Sequence, residues 1–166
     1  VRQLEPYLRG PVTDRVLPPP TAAPYVLPID QRSPEDFERI CVVIAEQVDG
    51  LRDVRLYGVP GQKQHGLDLV GLNAAGEAVV YQARRWMAFS EGDLQRAVQD
   101  YATGRRPFHA KRFVLCVSSS ARRTEIPEEL HRLRASHDFK IDIYDQERLS
   151  EMLKQRGDLV RRLFGV

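Results

Sequence analysis

Read for the alternation of apolar and polar positions, the chain changes character at residue 33. Beyond it Phe37, Ile40, Cys41, Ile44 and Val48 recur at helical spacing. Ser33 stands where an N-cap belongs, Pro34 suits a first helical turn, and Glu35 and Asp36 lie at the positive end of the helix dipole. The spacing predicts a helix that ends at Asp49-Gly50. A short strand follows at 54–57, closed by Gly58 and Pro60, and then a polar loop at 61–66 with glycine at each end. Residues 67–72 and 78–83 read as the arms of a hairpin turned at Asn73-Ala74-Ala75-Gly76. Leu94, Ala97, Val98 and Tyr101 mark one face of a helix from about Ser90. Residues 113–117 form a continuous apolar run, the pattern of a central buried strand. A helix at 127–135, a strand at 141–144 and a helix at 147–155 complete the set. The order αβββαβαβα runs an antiparallel meander into βαβ units. It predicts an α/β domain, a mixed sheet with helices on both faces.

Residues 1–28 show neither period. They hold seven of the eleven prolines, Pro18-Pro19-Pro20 among them, and read as an extended arm or linker. The domain itself is expected over 29–158, with 159–166 as the start of a connection to a further domain. That apolar stretch and the initial Val1 fit a piece of a longer protein. No apolar run approaches the roughly 20 residues of a membrane span, and prolines stand where a signal peptide would be apolar. Cys41 and Cys116 each lie inside an apolar run and outside any CxxC pair. They read as buried free thiols, which fits a cytoplasmic protein, and not as zinc ligands.

Charge changes the picture only when the chain is divided. Residues 1–83 hold 8 basic and 11 acidic residues, residues 84–134 hold 11 and 6, and residues 135–166 hold 6 and 6. The net +2 thus conceals a stretch of +5 that begins at Arg84. A local basic excess attracts polyanions, although arginine-rich usage alone, with only 4 Lys among 25 basic residues, also produces one.

The candidate chemistry lies where this stretch begins. Along a strand Gln82 and Arg84 project to one face, Tyr81 and Ala83 to the other. The hairpin brings Asp68, a carboxylate between Leu67 and Leu69, roughly level with Gln82 or Arg84. An Asp oxygen and a Gln carbonyl oxygen suit a hard cation such as Mg²⁺, and Arg84 suits a phosphate. A cross-strand Asp68–Arg84 salt bridge, with Gln82 as hydrogen-bonding filler, accounts for the same residues. On the first helix Glu46 points away from the apolar stripe and Glu38 lies at its edge. Lys63, Gln64 and His65 stand in the polar loop, over a DNA backbone or in an ordinary turn, and Arg122 and Arg123 follow Ser118-Ser119-Ser120 at a strand end, a common phosphate-facing place that reads as a plain loop before a binding one. Trp86 and Phe89 read as packing residues before base-stacking ones.

Several segments together resemble a known family. They are Pro28-Ile29-Asp30 with Ser33-Pro34-Glu35-Asp36-Phe37-Glu38-Arg39; Tyr57-Gly58-Val59-Pro60-Gly61-Gln62 with Gln64, Gly66 and Asp68; and Tyr81-Gln82-Ala83-Arg84-Arg85. Phe113-Val114-Leu115-Cys116 and Leu159-Val160-Arg161-Arg162-Leu163-Phe164-Gly165 fit as well. In order and spacing these resemble the Mrr-like branch of the PD-(D/E)xK restriction endonucleases. The likeness is strongest to the nuclease domains at the N-termini of bacterial STAND-type NTPases, a class linked to phage defence. It covers about residues 28–165.

The resemblance implies a restriction-endonuclease-like fold and an endonuclease that hydrolyses DNA with Mg²⁺ or Mn²⁺. It implies fusion to an NTPase or sensor region and leaves room for a homo-oligomer. It maps the family's helix glutamate to Glu38, its metal-binding aspartate to Asp68, its Glu-or-Gln position to Gln82 and its lysine to Arg84, with Glu38, Asp68 and Gln82 as metal ligands. Lys63, Gln64, Arg85, Arg122 and Arg123 are the expected DNA contacts, Arg85 facing away from Arg84. Arg84 is the departure. Lysine helps orient and activate the attacking water, whereas arginine stays protonated and acts only by stabilising phosphate charge. A nucleic-acid-binding module without catalysis, and an interaction or oligomerisation domain on the same fold, are the alternatives.

Overall fold

The computed structural model describes residues 26–57, 69–104 and 109–165. A 3₁₀ turn, Ile29–Gln31, leads into α1, Pro34–Val43. Ser33 caps α1 as expected, its hydroxyl accepting the Asp36 N–H at 3.1 Å. The predicted helix does not continue as an α-helix to Val48: Ile44–Val48 form a π-helical turn. Asp49 N–H donates to Ile44 O and Leu51 N–H to Ala45 O, each at 2.9 Å. The wider turn keeps Ile44 and Ala45 in the core. A single turn of apolar spacing does not distinguish the two windings.

The elements that follow are β1, Arg52–Leu56; β2, Leu69–Leu72; β3, Ala78–Arg84; α2, Glu91–Thr103; β4, Arg112–Val117; α3, Glu125–Ser136; β5, Lys140–Tyr144; α4, Gln146–Lys154; and α5, Gly157–Phe164. β1 begins two residues earlier than its apolar residues indicate. It is an edge strand on which only Val54 is half-buried, and it carries a register shift at Asp53, whose φ is 52°. The hairpin turn forms as predicted. Asn73 Oδ1 accepts the N–H groups of Ala75 and Glu77, and Gly76 takes the positive φ of 76°.

The sheet has the order β1-β2-β3-β4-β5, antiparallel through β3 and parallel from β3 to β5. The chain is therefore an α/β protein with a five-stranded mixed sheet between two helical layers. α1, α4 and α5 cover one face, where Phe37, Ile40, Leu149 and Leu159 meet Val79, Tyr81, Val114 and Cys116. α2 and α3 cover the other, where Leu94, Val98 and Leu133 meet Val80, Phe113, Leu115 and Val117. Cys41 and Cys116 are buried and form no disulfide. Among the described residues no helix is long and apolar enough to cross a membrane.

The segment ahead of α1 is stapled to the domain. Leu27 N–H donates to the buried Ser150 hydroxyl at 2.8 Å, and Gln146 Nε2 donates to Asp30 Oδ1 at 2.9 Å. The proposed arm before it lies, but for its last three residues, outside the described residues. α5, over the stretch read as a connection, lays Leu159 into the α1-side core, and the Arg32 guanidinium stands 4.5 Å from the Phe164 ring centre.

Candidate functional site

The parallel register of β3 on β4 fixes what each residue of the Gln-Ala-Arg triplet faces. Gln82 stands level with Leu115 and Arg84 with Val117, both in the α2-side core. Ala83 stands level with Cys116, on the α1 side. Gln82 and Arg84 thus share a face, as strand alternation predicts. Gln82 is 2% exposed, and its Oε1 is buried without a hydrogen-bond partner among the described residues. An amide oxygen left in that state costs about 1–3 kcal/mol. It is a hard oxygen donor, the kind Mg²⁺ takes.

Arg84 ends β3. Its Nη1 donates to Ala83 O at 2.9 Å, and its own carbonyl accepts Ser118 N–H at 3.2 Å, which brings the carboxyl end of β4 alongside. A shallow groove of about 230 Å³ opens here, lined by Pro34, Glu35, Phe37, Glu38, Ala83, Arg84 and Arg85. Glu38 is exposed on α1, so it reaches the end of β3 from the face opposite Gln82. The structure brings Glu38 and Arg84 to one groove and gives Gln82 to the far side of the strand.

Arg85 does not stand as an open phosphate contact. Its Nε donates to Arg32 O and its Nη2 to Asp30 O at 3.5 Å, so it pins the 3₁₀ segment against β3. Arg122 and Arg123 are exposed after β4, at the same end of the sheet as Arg84. Arg122 Nε lies 3.6 Å from Glu147 Oε1, and Arg123 has no ion pair among the described residues. Trp86 stacks on the buried Phe89 at 5.6 Å between ring centres, and its carbonyl accepts the Ser118 hydroxyl, so both aromatics act as packing. Asp68, Lys63 and Gln64 lie outside the described residues. What the structure adds for Asp68 is the register of its neighbour: Leu69 pairs with Tyr81, one residue ahead of Gln82.

Among the described residues no three His, Cys, Asp or Glu side chains gather as a metal-holding group. The described donors are the buried Gln82 oxygen, which fits a hard cation, and the Glu38 carboxylate at the groove. Two further carboxylates at this end of the sheet, Asp145 and Glu147, escaped the sequence reading. Asp145 caps α4, accepting Arg148 N–H at 2.9 Å and Ala121 N–H at 3.0 Å, and burial pushes its carboxyl above the usual range. Beside it, Glu147 Oε2 and the Ser119 hydroxyl are buried without hydrogen-bond partners among the described residues. The sequence signal was an Asp directly after a strand and before a helix, the N-cap pattern.

No protein-family model matches the chain, and no curated protein matches it.

Proposed function

We propose that this chain is a metal-dependent DNA endonuclease domain of the restriction-endonuclease-like, Mrr-like type. In this reading it acts in the bacterial cytoplasm as the effector module of a larger, NTPase-linked defence protein. The observation that carries the proposal is the Gln82 amide. Its oxygen lies buried, without a hydrogen-bond partner among the described residues, on the same strand face as Arg84, at the strand position where the resembled family keeps a metal ligand. A cation such as Mg²⁺ or Mn²⁺ would take that oxygen and, next along the chain from Leu69, the Asp68 carboxylate. Bound there, it would polarise a phosphodiester and lower the pKa of a bound water. Arg84 would hold the phosphate charge, and Glu38, Arg122 and Arg123 would border the DNA path.

A second reading has its own support. A guanidinium at the position of the family's lysine binds phosphate well and transfers protons poorly, which favours a nucleic-acid-binding module without cleavage. Plasmid nicking in Mg²⁺ and in Mn²⁺, with wild type beside Asp68→Ala, separates the two. Nicking lost in the variant is the expected result. Salt-sensitive DNA binding without nicking selects the second reading, and neither activity, with stable self-association, selects an interaction domain.

A further inference from the structure

A cleft of about 820 Å³ opens at the opposite end of the sheet, where the parallel strands begin. It is distant from the Gln82–Arg84 end and larger than the groove there. Its floor is a chain of polar side chains. Asp142 on β5 accepts Arg112 Nε at 2.6 Å and Arg134 Nη2 at 3.0 Å, so one carboxylate holds two guanidiniums side by side. Arg112 Nη2 donates to the Tyr144 hydroxyl at 2.9 Å, and that hydroxyl donates to Asp49 Oδ2 at 3.0 Å. The Tyr81 hydroxyl donates to the same Asp49 oxygen. Arg134 Nε is anchored on Ile141 O at 2.7 Å.

This network spends Nε and Nη2 of both arginines and leaves Nη1 of each without a partner among the described residues. The two side chains are about a third and a half exposed, 31% for Arg112 and 48% for Arg134. Two exposed lysines line the same cleft: Lys111, beside Arg112 in the chain, and Lys140, level with Arg112 across β4 and β5. Asp142 is neutralised by its two guanidiniums and Asp49 is occupied by two hydroxyls. Glu77, which accepts Asn73 Nδ2 at 3.4 Å, and Asp138 remain on the rim as acceptors.

We propose that this cleft is a binding site for a phosphate-bearing small molecule of nucleotide size. Its phosphate would rest on the two guanidinium edges and the lysines, and its hydroxyl or amino groups would face Glu77 and Asp138. Paired guanidiniums with open N–H edges match phosphate oxygens, and the volume falls within the usual span of small-molecule pockets, about 300–1,000 Å³. The hydrogen bonds from Arg112 through Tyr144 to Asp49 hold Arg112 in place before the ligand arrives, so little side-chain freedom is lost on binding. The site does not depend on the nuclease reading.

Calorimetric titration of the whole chain with AMP, at low ionic strength, tests the proposal. Saturable binding is expected, with inorganic phosphate competing and adenosine failing to bind. Arg134→Ala and Lys140→Ala should each weaken AMP about tenfold or more, and Arg84→Ala should leave it unchanged. Arg134 also anchors the β5 edge; if its variant fails to fold, Lys140→Ala and Lys111→Ala carry the test. No saturable AMP binding, adenosine binding as well as AMP, unaltered affinity in the cleft variants, or loss of affinity in Arg84→Ala would each overturn it.

Discussion

Gln82 stands level with Leu115 across β3 and β4, and this pairing buries its amide among apolar side chains on the α2 face. A polar group in such surroundings with an unpartnered acceptor lowers stability. Gln82→Leu is therefore expected to leave the fold as stable as wild type or more stable by about 1 kcal/mol, because it removes an unsatisfied group without emptying the site. The same change should abolish divalent-cation binding. Urea denaturation and calorimetry with Mn²⁺ check the two halves. A loss of more than about 2 kcal/mol would mean that the amide oxygen has a partner in solution and is structural.

Tyr81 and Tyr144 share the Asp49 carboxylate. Burial first, and the Asp49 charge second, push the Tyr144 hydroxyl up to about 12 and the Tyr81 hydroxyl higher still. In the unfolded chain both ionise near 10. Below pH 10 both states keep their phenolic protons and stability does not change on this account. Above it the unfolded state loses protons first, so stability falls by about 1.4 kcal/mol per pH unit for each tyrosine until the folded value is passed. Phenolate absorbance should therefore show Tyr81 and Tyr144 titrating late, and alkaline unfolding should begin between pH 10 and 12. Asp49→Asn should move the Tyr144 transition down. All tyrosines titrating together near pH 10 in a folded protein would contradict the network.

Much of the fold was legible because strand and helix periods mark faces wherever one face is buried. Both hairpin arms, the apolar β4 and the capped α1 were marked in this way. β1 was not, since an edge strand with one half-buried residue carries no pattern. Nor was the fit at Gly71: a Cβ there would meet Leu51 Cβ at 3.0 Å and Val54 Cγ2 at 3.1 Å, a contact between segments that spacing does not encode. In the candidate site, alternation correctly put Gln82 and Arg84 on one face. It does not show which helical layer covers that face, so the arrival of Glu38 from the other side was not foreseeable. The partners of the arginines were equally hidden. A charge count makes no distinction between a free guanidinium and one pinned to carbonyls, as Arg85 is.

That last point sets the salt dependence of DNA binding. Within the basic stretch Arg96 pairs with Asp93, Arg132 with Glu129, and Arg112 and Arg134 with Asp142. Among the described residues few cations at the Arg84 end remain to displace counterions. The logarithm of the binding constant should fall against the logarithm of salt with a slope of about −2 to −4, well short of the full arginine count. Arg123→Ala should make the slope shallower by about one. A slope near zero would show that the arginines are only a solvated surface, and one near −10 would show that the ion pairs open on DNA.

Arg84 decides between cleavage and binding alone. It ends β3 two residues on from Gln82 and lines the groove with Glu38. A charge there stabilises a phosphate whichever cation supplies it, but arginine does not take part in proton transfer at ordinary pH. Arg84→Ala is expected to weaken DNA binding and any nicking by a few kcal/mol, the scale of a lost charge-assisted contact in a site. Arg84→Lys keeps the charge and restores an ammonium that can orient water. It should leave binding nearly intact and raise the nicking rate about tenfold, or about 1.4 kcal/mol of barrier. Single-turnover nicking in Mn²⁺ reads the rate, and fluorescence anisotropy in Ca²⁺ reads binding without cleavage. If Arg84→Lys nicks no faster, the site is built around the guanidinium and the loss of lysine is no handicap. If neither variant alters binding or nicking, Arg84 serves the strand end alone and the nuclease proposal fails with it.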